Sequence, residues 1–280
     1  MIEVGKMHTL EVIKHVDFGV YLKSDDEEIL LPKKYLPDDE ELWAVGAFLE
    51  VFVYLDSEDR PVATTETPKA MVGECAYLPV VGQSRFGSFL DWGLSKDLLA
   101  PFKEQRVPME IGRSYVVYIF IDKTTRIAAS SRLSSFLKEI NEDNFEIREE
   151  VNLLIASRSD LGYKAVINGS HLGLIHNNEI VRPINVGDRI IGYIGEPRTD
   201  GRINLTLQKL AYEMRDDLSD KILNHLIEHG GQTHLTDKSN PDEINQVFHA
   251  SKSNYKKALG KLFKEGKIQF HEKSVRLVKN

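Results

Sequence analysis

Short runs of alternating apolar and polar residues, broken by charged turns, fill the first three-quarters of the chain. The clearest is Gly201-Arg202-Ile203-Asn204-Leu205-Thr206-Leu207. Asp200-Gly201 reads as a turn, after which Ile203, Leu205 and Leu207 fall on one face of a strand and Arg202, Asn204 and Thr206 on the other. Upstream lie a strand-like run at 161–167, the phrase Gly173-Leu174-Ile175-His176, and a turn, Val186-Gly187-Asp188, that leads into an apolar strand at 190–194.

The same order occurs three times. Phe18-Gly19-Val20-Tyr21-Leu22 matches Phe86-Gly87-Ser88-Phe89-Leu90 and Leu161-Gly162-Tyr163-Lys164-Ala165. Leu30-Leu31-Pro32-Lys33 pairs with Leu99-Ala100-Pro101-Phe102 and, more loosely, with Gly173-Leu174-Ile175-His176. Val45-Gly46, Ile111-Gly112 and Val186-Gly187 each precede an apolar strand, then a charged turn and a closing strand at 61–65, 126–130 and 202–207. Short strands without an intervening helix suit a small barrel, because closing the sheet removes its exposed edges. Each repeat has its own alternating faces, so the expectation is tandem beads with separate cores: 1–66, 67–133 and 146–212. Residues 133–150 read as a short helix and a polar linker, with the linker at 134–145.

Beyond residue 210 the period becomes helical. Residues 216–229 place Leu218, Ile222, Leu223, Leu226 and Ile227 on one stripe and stop at Gly230-Gly231. Asn240-Pro241 supplies a cap and first turn for a second helix ending at Phe248, and Ser251 opens a third that runs to Glu265. Strands at 267–271 and 274–278 follow. Three helices and a hairpin over 213–280 are the winged-helix order, in which the third helix is the usual groove-reading element.

The third repeat, with its Gly173-Leu174-Ile175-His176 segment and its Gly201-Arg202-Ile203-Asn204-Leu205 closing strand, resembles the S1 RNA-binding domain, a five-stranded barrel of the OB type, and the other two repeats share its order. With Leu30-Leu31-Pro32 and the winged-helix tail, the whole chain resembles the conserved virulence factor B family of bacterial RNA-binding regulators. The fold class expected is therefore mainly β and multidomain: three tandem S1-like OB-type barrels followed by a small α+β winged-helix domain. The resemblance implies a cytoplasmic, non-catalytic protein that binds single-stranded RNA and affects gene expression, with no cofactor.

Composition adds a charge gradient. The net charge is −7, yet residues 1–66 carry 6 Lys/Arg against 16 Asp/Glu, whereas 249–280 carry 9 against 2. Such asymmetry is what local phosphate contacts leave behind. No apolar run reaches the roughly 20 residues of a membrane-spanning helix. The start shows no secretory core, and the one cysteine, Cys75, permits neither an internal disulfide nor a cysteine-based zinc site.

Single strands are held by aromatic platforms under the bases and by cations along the backbone. The S1 resemblance assigns these to Phe18, Tyr21 and Lys33 in the first repeat and to Phe86, Phe89 and Phe102 in the second. In the third, the positions are Leu161, Lys164 and His176. Residues i and i+3 of a regular strand face opposite sides, so Phe18 with Tyr21 and Phe86 with Phe89 require a bulge or sharp coil at Gly19 and Gly87. The acidic runs 25–28 and 38–41 read as solvated loops that weaken the first repeat as a phosphate binder. In the tail, Lys252, Asn254, Lys256, Lys257, Lys261 and Lys264 sit on the third helix, with Lys273 and Arg276 in the hairpin. Lys257, Lys261 and Lys264 recur at helical intervals. They suit phosphate contact, with duplex nucleic acid as a second partner; the helix lacks an arginine for guanine edges.

One enzyme motif competes. His225-Leu226-Ile227-Glu228-His229 spells the inverted zinc-protease sequence. The chain lacks the large fold that carries it elsewhere, and histidines near a helix C-terminus also favour the negative end of its dipole. No phosphate-cradling Gly-x-x-x-x-Gly-Lys-Ser/Thr is present. The rival to an RNA binder is a DNA-binding transcription regulator whose winged helix dominates and whose barrels bind proteins.

Overall fold

A computed structural model describes residues 2–24, 27–56, 58–142, 144–180, 182–208, 213–271 and 274–278; within the helix starting at Glu213, side chains are described from Leu218. The chain forms two compact units, Met1–Leu207 and Gln208–Asn280. Among the described residues, no helix is long and apolar enough to cross a membrane.

The first unit contains three five-stranded sheets of one design. The first has β1 (Met7–Val16), β2 (Gly19–Ser24), β3 (Glu27–Pro32), β4 (Phe48–Leu55) and β5 (Pro61–Thr64), closed in the order β1-β2-β3-β5-β4. The second has β6 (Cys75–Gln83), β7 (Gly87–Leu90), β8 (Leu98–Pro101), β9 (Ser114–Ile121) and β10 (Ile127–Ser130), in the order β10-β9-β6-β7-β8. It is the same barrel, left unjoined between β8 and β10 among the described residues. The third, from β11 (Glu150–Ser159), β12 (Gly162–Ile167), β13 (His171–His176), β14 (Arg189–Ile194) and β15 (Ile203–Thr206), closes in the first order. The expected alternation in the last strand is present, with Ile203 and Leu205 buried and Asn204 and Thr206 half-buried on the other side.

Each repeat carries a bulge at the same place on its first strand. The register against the second strand slips between Val12 and Lys14, between Val80 and Gly82, and between Ile155 and Ser157. An extra residue at this point coils the strand and tightens its twist, which a five-stranded sheet needs in order to close.

Each barrel has a core cluster of its own, as expected, but the beads also dock on one another. Phe52 of β4 is fully buried in the core of the second barrel, where its ring meets Trp92 edge to face at 5.5 Å. Lys6 donates to the carbonyl of Val72 at 2.7 Å, and Arg126 pairs with Asp59 at 2.8 Å. Between the second and third barrels, Cys75 and Val116 share a buried cluster with Leu154, Ala156, Val166 and Leu172. The segment joining these two barrels is part of that cluster. A 3-10 turn, Leu133–Ser135, replaces the expected short helix, and Leu133 and Leu137 are buried between the barrels. Lys138 then bridges to His171 and Ile140 to Arg202. Two adjacent serines, poor helix formers, and two leucines with apolar surface on either side favour packing over helix.

The second unit has α1 (Glu213–Glu228), β16 (Gln232–Thr233), α2 (Pro241–Phe248), α3 (Lys252–Lys264), β17 (Ile268–His271) and β18 (Ser274–Leu277), with β18 pairing with both other strands in the order β16-β18-β17. The caps read from sequence are present: the Asn240 side chain accepts from the backbone N–H of Asp242, and that of Ser251 accepts from Asn254. Leu218, Ile222 and Leu226 enter the core with Tyr255 and Leu259. Ile227 does not; at 65% exposure it stands about a third of a turn beyond that row, so the apolar stripe is narrower than expected.

Candidate nucleic-acid interface

A glycine in each repeat shapes the expected binding face. Gly19 and Gly162 hold φ values of 153° and 145°. A Cβ on Gly19, Gly87 or Gly162 would lie 2.2, 2.2 or 2.0 Å from the carbonyl oxygen of Leu31, Ala100 or Ile175 on the neighbouring strand. Only glycine allows that approach. The strand therefore begins at the glycine, and the residue before it sits in the turn.

This turn resolves the geometric difficulty of the i and i+3 pair. Phe18 and Tyr21 stand on the same side, ring centroids 6.5 Å apart and edge to face, with the Lys14 ammonium 5.6 Å from the Tyr21 ring. The bulge itself lies on β1, opposite, and not at Gly19. In the second barrel Ser88 and Leu90 point inward, so Gly87 and Phe89 face out. The residue before the glycine is exposed in all three repeats: Phe18 at 56%, Phe86 at 60% and Leu161 at 63%.

The turn is tied to the end of the third strand by one repeated hydrogen bond. The N–H of Lys33 donates to the Phe18 carbonyl at 2.8 Å, that of Phe102 to Phe86 at 3.2 Å, and that of Asn177 to Leu161 at 3.1 Å. The counterpart of Lys33 and Phe102 is thus Asn177. His176 pairs with Gly162 as Pro32 pairs with Gly19 and Pro101 with Gly87, so the sequence correspondence for His176 is displaced by one residue. His176 nonetheless sits on the outer face, its Nε2 3.0 Å from Oδ1 of Asn204, and Lys164 lies on that face in an ion pair with Glu139 at 3.3 Å.

The three faces differ in charge and content. On the first, Lys33 is exposed and Glu27 and Glu28 lie on β3 instead of in a loop, while residues 25 and 26 fall outside the described residues. Asp39 caps a 3-10 turn, Glu40–Trp43, so the second acidic run is ordered as well. On the second, Phe102 is 52% exposed beside Phe86, and the Arg85 guanidinium lies 4.7 Å from the Phe86 ring. Phe89 lines a cleft of about 370 Å³ with Tyr54, Trp92, Leu99, Lys96 and Arg126. The third replaces both aromatics with Leu161 and Lys164.

In the winged helix, Asn254, Lys256, Lys257 and Lys264 are exposed. Lys252 is half-buried and donates to the Lys238 carbonyl at 3.3 Å, and Lys261 lies 3.7 Å from Glu265. Arg276 is exposed on the middle strand of the small sheet; Lys273 lies outside the described residues. The structure also exposes an aromatic pair that the sequence pattern does not mark: Phe263 of α3 and Phe270 of β17, with centroids 5.3 Å apart. Strand alternation puts Phe270 on the same face as buried Ile268, two residues earlier, so the sequence pattern reads it as core, whereas the structure leaves it exposed.

The histidines of the protease-like motif serve the helix end. His225 and His229 stack at 4.0 Å, Nδ1 of His229 lies 2.8 Å from the His225 carbonyl, and Nε2 of His225 lies 3.4 Å from the Thr233 hydroxyl. Burial, then neighbouring His229, holds His225 below the usual imidazole pKa. Among the described residues, no three His, Cys, Asp or Glu side chains gather as a metal site requires. Burial also pushes the Cys75 thiol up to about 12, far from a reactive thiolate.

Comparison with known proteins agrees with this architecture. Residues 4–66 match the S1 domain family, and residues 220–277 match the CvfB-like winged helix domain. Conserved virulence factor B of Staphylococcus epidermidis is 26% identical over 99% of this chain and 95% of its own length. The likeness to conserved virulence factor B runs end to end. A Bacillus subtilis protein, YitL, is 29% identical over 94% of this chain and 90% of its own. A solved structure described as a multidomain protein with nucleic acid binding domains, from Streptococcus pneumoniae, aligns over 98% of both chains at 23% identity and a TM-score of 0.40. The matched S1 and CvfB-like domains are of nucleic-acid-binding types, and neither is an enzyme domain.

Proposed function

We propose that the protein is a cytoplasmic, non-catalytic RNA-binding regulator that grips single-stranded RNA on the outer faces of its barrels, with the basic winged helix adding phosphate contacts. It acts on gene expression after transcription. The observation that carries this reading is the middle barrel's face, where Phe86 and Phe102 are exposed side by side and Phe89 projects from the same strand as Gly87. Flat, exposed rings beside Arg85 suit base stacking, which is worth about 1–3 kcal/mol per base and tolerates any sequence. The first face, with more carboxylates around it, contributes less. On α3, Lys256, Lys257 and Lys264 project from exposed positions as phosphate contacts would require.

Titration of the full chain with an unstructured RNA, read by fluorescence anisotropy, tests the proposal. Phe86→Ala with Phe89→Ala should weaken binding by roughly ten-fold or more, the loss of one to two stacked bases. Unchanged affinity would remove these residues from the site. Tighter binding to duplex DNA than to RNA would favour the DNA-binding regulator instead.

A further inference from the structure

Where the second and third barrels meet, a cleft of about 590 Å³ opens beside the buried cluster that joins them. Its lining includes Arg106, Arg113, Arg132, Arg158 and Lys164, five serines and, among the described residues, not one carboxylate. In a chain of net charge −7, five cations around one cleft are the reverse of the average. Like charges gathered this closely repel one another and persist where an anion joins them.

The partners of these cations sharpen the point. Arg113 pairs with Glu110 and Lys164 with Glu139, both carboxylates outside the cleft lining. Among the described residues Arg106, Arg132 and Arg158 have no ion pair; Arg106 reaches only the Ser157 hydroxyl at 3.4 Å. Guanidinium groups with adjacent hydroxyls are the donors that phosphate oxygens select. The walls are fixed in advance, since Leu133 is buried under the serine-bearing turn and the backbone N–H of Arg106 donates to the Ser131 hydroxyl at 2.8 Å.

The cleft also leads from one candidate stacking face to the next. Arg106 follows Phe102 by one short 3-10 turn, Phe102–Glu104. At the other end Lys164 and Leu172 line both this cleft and a smaller one, about 340 Å³, that holds Leu161, Arg198 and Arg202 on the third barrel.

We infer that this cleft is the phosphate track of the protein: the sugar-phosphate backbone of a single RNA strand crosses it between the second and third barrels, touching Arg106, Arg132 and Arg158. The inference rests on the RNA-binding reading above and adds where the backbone runs.

The test uses the full chain and a fluorescein-labelled, unstructured RNA of about 15 nucleotides, the upper end of the site size for such a barrel. Affinity is measured across a series of salt concentrations for the wild type, R132Q/R158Q, R132K/R158K and F86A/F89A. The slope of log affinity against log salt should shrink by about 0.7 for each phosphate that R132Q/R158Q no longer neutralises, with several-fold weaker binding. R132K/R158K, which keeps the charges, should retain most of the slope. F86A/F89A should lose affinity at an unchanged slope. If the wild type binds and F86A/F89A weakens it while R132Q/R158Q keeps the full slope, the track is overturned and the RNA-binding reading stands. A wild type that does not bind RNA at all overturns both. Competition by polyglutamate as effective as by RNA of equal charge would assign the cleft to acidic protein and also overturn the track. Thermal melts matching wild type confirm that the exposed arginine substitutions leave the fold intact.

Discussion

Replacing Leu137 by alanine tests whether the second and third barrels unfold as one body. Leu137 is buried, 5% exposed, among Cys75, Val116, Leu154 and Leu172, which come from both barrels. Truncating a buried leucine removes its transfer energy and leaves a cavity, at about 2–5 kcal/mol. In a unit of residues 1–207, each kcal/mol lowers the melting temperature by roughly 2–4 °C, so a loss near 3 kcal/mol lowers it by about 6–12 °C. Differential scanning calorimetry of the full chain reads the result. The transition of the barrel unit should shift as a single peak, and Ile147→Ala, at an exposed site, should move it by less than about 0.5 kcal/mol. A split peak in which one barrel melts early and the others hold would refute the shared core as a source of cooperativity. So would a Leu137→Ala shift no larger than that of Ile147→Ala.

Other expectations follow from single contacts. Gly162→Ala drives a Cβ against the Ile175 carbonyl at a φ of 145°, and should cost about 1–3 kcal/mol in chemical denaturation while leaving the winged-helix transition in place. Tyr255→Phe strips the hydroxyl that donates to the buried Leu235 carbonyl at 3.0 Å; it should destabilise the second unit by about 1 kcal/mol by urea melts. His171 is buried against Phe145, and burial, with the Lys138 charge second, holds its imidazole below its usual pKa. The unfolded chain then takes the proton first, so stability is full above the ordinary imidazole value of about 6.5 and declines as pH falls below it. His171→Leu should flatten that decline in melting temperature between neutral and mildly acid pH. Lys257→Gln with Lys264→Gln should reduce the salt dependence of RNA binding without changing base preference.

Much of this architecture is written locally in the chain. The three-fold order of strands, the caps at Asn240 and Ser251 and the alternation of Ile203 and Leu205 depend on near neighbours, and they appear where the pattern places them. Features that depend on distant partners do not announce themselves. Phe52 and Val116 look like any strand residues, yet one is buried in the next barrel and the other between barrels. Leu137 reads as helix until another surface captures it. Asn177, and not His176, stands where Lys33 and Phe102 stand, because the strand register pairs His176 with Gly162 as it pairs Pro32 with Gly19 and Pro101 with Gly87. The arginines of the cleft come from positions 106, 113, 132 and 158, with no spacing to betray them, because only the docking of two barrels brings them together.

Docked barrels give a fixed ruler where flexible linkers would give a tether. On the RNA-binding reading proposed above, a strand seated on one barrel would meet the next at a set distance, with no search through chain conformations, so the second contact would form as an intramolecular step. Affinity should therefore rise abruptly, not gradually, as an oligonucleotide grows past the span between adjacent barrels, and hairpins too stiff to follow that span should be turned away.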